Sequence, residues 1–75
     1  MIRFALPAQG EIELAVYNLA GQRVTTLLQG VRAAGIYAVR WDGRDEGGRS
    51  LASGAYLYRL QVDKKVETRK LLLLR

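Results

Sequence analysis

Apolar residues recur at every second position in three separate runs of this chain, and nowhere convincingly at helical spacing. In Glu11–Tyr17 the alternation groups Ile12, Leu14 and Val16 on one face, with Glu11, Glu13 and Tyr17 on the other. Tyr37, Val39 and Trp41 form a second set, and Tyr56, Tyr58, Leu60 and Val62 a third. Successive side chains of a strand point to opposite faces, so each run reads as a half-buried strand. Shorter strands fit Ile2–Leu6, Arg23–Leu28 and Val66–Leu74. Turn signals separate them: Pro7–Gly10, Asn18–Gly21, Ala33–Gly35, a long Asp42–Ser53 stretch and Asp63–Lys65, with Gln29–Ala34 ambiguous. Short strands at such intervals, joined by Gly-rich turns, predict an all-β, compact immunoglobulin-like antiparallel sandwich of about six to seven strands. The expected core is Phe4, Leu6, Ile12, Leu14, Val16, Val24, Val39, Trp41, Tyr56, Tyr58, Leu60 and Val62.

At 75 residues the chain has room for one domain and one core. With 49% hydrophobic and 25% charged residues it has the composition of a folded domain. It contains no Cys and no His. Disulfides, zinc-thiolate sites, thiol nucleophiles and a Ser-His-Asp triad are therefore excluded. Ser50 and Ser53 have no base beside them, and no catalytic residue or cofactor is expected. The formal charge of +5 suits acidic partners or simple solubility. No segment is long and apolar enough to span a membrane as a helix.

Three groups of residues stand out. Asp42, Asp45 and Glu46 lie in a Gly-rich loop, a weak candidate for calcium and a stronger one for a turn held by side-chain acceptors. Arg59, Lys64, Lys65, Arg69, Lys70 and Arg75 concentrate basic charge in the last third of the chain, read chiefly as a solvated strand face and not as a nucleic-acid platform. Lys70-Leu71-Leu72-Leu73-Leu74-Arg75 places large apolar groups on both faces of one strand. An open sheet edge tolerates that poorly, so the strand is expected either to be covered on both faces or to dock on a partner, with the flanking charges as gatekeepers.

Taken in order, Ile2–Pro7 with Gly10, Leu14–Asn18, Gly21, Val24, Ala34-Gly35, Trp41–Asp45, Gly48, Ala52–Tyr56 and the Lys70–Arg75 ending resemble the C-terminal sorting domains of the type IX secretion system. The same pattern also resembles the immunoglobulin-like domain of the flagellar hook-capping protein, a structural relative, but the Lys70–Arg75 ending favours the sorting resemblance. The first resemblance implies a non-enzymatic module that takes a larger secreted protein through the periplasm to the cell surface. Its partners would be the outer-membrane secretion machinery and an anionic cell-surface polysaccharide, and its recognition residues Gly54, Tyr56, Lys70, Leu71, Leu73 and Arg75. Two alternatives stand beside it: a carbohydrate- or surface-binding accessory module of a secreted enzyme, with Arg59, Lys64, Lys65 and Arg69 as its basic surface, and an assembly domain like that of the hook-capping protein. Sorting domains carry an Asn-Pro-Phe box just before the position of Ile2, where this chain has Met1. The chain is thus expected to be an excised domain, with self-association through its first or terminal strand as one consequence.

Overall fold

The computed structural model describes residues 1–74; Arg75 lies outside the described residues. Six strands are described: β1 (Ile2–Leu6), β2 (Gly10–Tyr17), β3 (Arg23–Arg32), β4 (Gly35–Val39), β5 (Gly54–Val62) and β6 (Lys65–Leu73). All pair antiparallel, β1 with β4 in a two-stranded sheet and β3-β2-β5-β6 in a four-stranded one. The all-β sandwich expectation holds, with six strands. The ambiguous Gln29–Ala34 stretch mostly extends β3, and the strand expected around Tyr37–Trp41 ends at Val39, leaving Trp41 in the following loop.

Register explains the core. Ile12, Leu14 and Val16 sit opposite Val62, Leu60 and Tyr58 of β5, so the apolar faces of the two central strands coincide. Those three β2 side chains are the largest fully buried ones, each contributing about 1.5–3 kcal/mol by burial. Leu6 and Tyr56 are buried with them. Phe4 stacks on its cross-strand partner Tyr37, the ring centroids 5.2 Å apart and nearly parallel.

The remaining expected core residues, Phe4, Val24, Val39, Trp41, Tyr58, Leu60 and Val62, are half-buried and not fully enclosed. The reason is geometric: two strands cannot roof a sheet of four. A gap of about 360 Å³ between Arg3–Ala5 and Tyr58, Leu60, Glu67 and Arg69 marks where the roof ends on the β6 side. The radius of gyration, 12.4 Å, is accordingly above the about 11 Å of a fully compact chain of this length. Ile2, Ala15 and Thr25 are buried although alternation did not single them out. Ala15 is flanked across the sheet by Thr26 and Arg59, both with longer side chains.

Candidate docking strand

The two ends of β5 are built differently. At its start, Gly54 has φ +151°, a conformation that L side chains rarely adopt, and it turns the chain into the strand. Two residues on, Tyr56 is only 9% exposed, meets Trp41 edge-on at 5.2 Å and donates its hydroxyl to the Ala52 carbonyl at 2.6 Å. Trp41 in turn donates its indole N–H to the Arg44 carbonyl at 3.0 Å. Of the expected recognition residues, then, Tyr56 is largely buried and ties the strand to the loop.

That loop uses two of the three carboxylates considered for calcium, Asp42 and Asp45. Asp42 accepts the Arg44 amide and Asp45 accepts the Arg49 amide, at 3.1 and 3.0 Å. Each also lies within 4 Å of a guanidinium, Asp42 of Arg44 and Asp45 of Arg49. Glu46 is exposed, and its amide reaches over to the Val24 carbonyl of β3. Among the described residues no three acidic groups converge on a metal position. The arrangement is that of turn-holding acceptors.

The basic residues do not form one uniform stripe. Arg59 is half-buried on the outer face, its guanidinium 5.6 Å from the centre of the Tyr17 ring and bonded to Gln61. Arg69 lies 3.9 Å from Glu67, both exposed. Lys64 and Lys65 stand at the β5–β6 turn, and Lys70 is exposed on the outer face opposite Leu57. Among the described residues, no ion pair involves Lys64, Lys65 or Lys70.

The four leucines divide by parity. Leu71 and Leu73 pair with Tyr56 and Gly54 and turn inward, half-buried, whereas Leu72 and Leu74 are 64% and 83% exposed. The strand is therefore not covered on both faces. Its apolar exposure belongs to Leu72 and Leu74, with Val66 farther along, while the expected recognition residues Leu71 and Leu73 are the half-buried pair. The signal for this parity was available: a turn at Asp63-Lys64 pairs Val62 with Lys65, and counting back from there sets Leu71 beside Tyr56.

Edges distinguish β6 further. β1 and β4 are five residues each. β3 is longer, but its pairing with β2 slips twice, leaving Leu27 and Val24 as extra residues, and the Glu46 amide caps part of its edge. Bulges and covering loops are the usual ways of blunting an edge. β6 pairs with β5 over nine consecutive positions without irregularity, and its other side is open. It is a long, regular edge with an apolar end, the geometry that accepts an added strand.

Comparison with curated proteins and with solved structures returned no match. A family model described as the FlgD Ig-like domain matches residues 2–65, that is, β1 through the β5–β6 turn, including the Trp41–Asp45 and Gly54–Tyr56 segments. This match, which covers most of the chain, shows that the chain belongs to the FlgD Ig-like domain family.

Proposed function

We propose that this domain is a non-enzymatic assembly module, similar in role to the immunoglobulin-like domain of the flagellar hook-capping protein, and that it binds other proteins through the open edge of β6. The observation that carries the reading is the regular nine-residue edge, free of bulges and covering loops, with Leu72 exposed near its end. Family membership supports assembly over the sorting role that the sequence resemblance placed first.

The test is sedimentation velocity of the domain alone and mixed with the purified flagellar hook subunit of the same organism. A shifted, saturable species with the subunit, or concentration-dependent self-association, supports assembly. A domain that stays monomeric and unbound at high micromolar concentration overturns it.

Sorting through the type IX secretion system is the second reading. It draws on β6 lying beyond the family match and carrying Lys70 beside the outward Leu72. On this reading the parent protein is secreted to the cell surface, and Arg75 adds to the signal. Fusions of a signal peptide and a fluorescent reporter to the whole domain, and to a version stopping at Lys70, separate the two. Surface delivery of the full fusion alone supports sorting, and equal retention of both, in a host that exports a known sorting domain, removes it.

A further inference from the structure

We infer that the occupant of the β6 edge is an acidic, extended protein segment. It is added antiparallel, with apolar residues against Leu71–Leu74 and carboxylates against Lys65, Arg69 and Lys70. This rests on the docking reading above and names the chemistry of the partner.

The argument is charge and register. From Lys64 to Lys70 the strand and its turn carry four basic side chains against one acidic, Glu67. Asp63, just before, turns its carboxylate to the Glu11 amide at 3.3 Å, away from the edge. Arg69 has Glu67 nearby, whereas the lysines have no acidic partner among the described residues. The charge is also placed along the strand: basic toward the turn, apolar from Leu71 onward. A strand lying beside β6 meets both halves in sequence, so a matching segment needs an apolar run followed by acidic residues. Backbone pairing holds such a segment, while alternate side chains select it. Exposed charges of this kind steer and discriminate more than they bind.

A second copy of the chain fits less well. Antiparallel self-pairing centred on Thr68 sets Leu71 and Leu72 opposite Lys65 and Lys64. Moving the centre to Leu72 brings leucine to leucine but leaves only the strand's end paired. Either way both strands bring the same positive excess.

The test uses a synthetic peptide, Val-Leu-Val-Glu-Glu-Thr-Lys-Val-Glu, matched to the nine residues of β6. Two variants accompany it: one with the three glutamates replaced by lysine, and one with alternate backbone amides N-methylated on the pairing edge. Binding is followed by amide chemical-shift changes and by anisotropy of the labelled peptide. The acidic peptide is expected to shift the Val66–Leu73 amides and to bind at least about tenfold tighter than the lysine version. Methylation should remove binding. Affinity should fall as salt rises from about 50 to about 500 mM, since these charges are exposed. The double variant Arg69→Glu/Lys70→Glu, with unchanged thermal unfolding, should reverse the preference.

Equal affinity for acidic and basic peptides at β6 overturns the acidic partner and leaves edge docking standing. If no peptide moves the β6 amides while the hook subunit or a second copy still binds, docking runs through another face. The assembly function then survives and this proposal falls. Shifts of the β6 amides with the domain's own concentration make a second copy the occupant and overturn it. So does equal response to polygalacturonate with no effect of N-methylation, which would mark β6 as a polyanion stripe.

Discussion

Leu14→Ala probes the centre of the sandwich. Leu14 is 0% exposed, lies on β2 between Leu28 of β3 and Leu60 of β5, and shares its face with Ile12 and Val16. Truncation removes its burial and leaves a void, at a cost of about 2.7–5 kcal/mol. The roof above is only two strands wide, so partial collapse into the void favours the lower half of that range. A domain of 75 residues has about 4–11 kcal/mol to lose. At about 4–8 °C per kcal/mol for a domain of this size, the melting temperature should fall by roughly 11–31 °C. Thermal melts followed by far-UV circular dichroism, with urea midpoints alongside, give the measurement. Leu72→Ala is the control: its side chain is mostly in solvent, and a surface substitution should stay within about 0.5 kcal/mol. A fall of less than about 5 °C for Leu14→Ala, or equal falls for the two variants, would refute the assignment of the core to the β2–β5 register.

Three further outcomes are expected. Asn18 accepts the Ala20 and Gln22 amides at 3.0 and 2.9 Å, closing the turn in which Gly21 takes φ +86°. Asn18→Ala should therefore cost about 1–2 kcal/mol and speed hydrogen exchange at both amides, while Asn18→Asp should retain most of the protection. Gly54→Ala should cost about 1–3 kcal/mol through backbone strain alone, since no atom crowds the position where a Cβ would stand. Trp41→Phe keeps an aromatic edge against Tyr56 but loses the bond to the Arg44 carbonyl; about 1 kcal/mol of lost stability and faster exchange in Gly43–Leu51 are expected.

The central strands were readable because alternation is a local property of the chain. Ile12, Leu14 and Val16 needed no partner to be recognised as one face, and β5 declared its own in the same way. Asp42 and Asp45 were readable as turn acceptors for a similar reason, because their targets lie two to four residues away. The edge was not. Four leucines in a row carry no parity of their own; only the register counted from the Asp63-Lys64 turn separates Leu71 and Leu73 from Leu72 and Leu74. Tyr56 was legible as core from its alternation with Tyr58, Leu60 and Val62; its recognition role came from the family resemblance, and the structure packs it against Trp41.

Strand identity, turn positions and the absence of thiol and imidazole chemistry thus follow from residues in order along the chain. Which face of β6 is open, how far two strands roof four, and which edge remains unblunted depend on pairings between residues distant in sequence. Strand pairing fixes those relations through backbone hydrogen bonds, and it is the β5–β6 register, counted from the Asp63-Lys64 turn, that turns Leu72 and Leu74 to solvent beside Lys70.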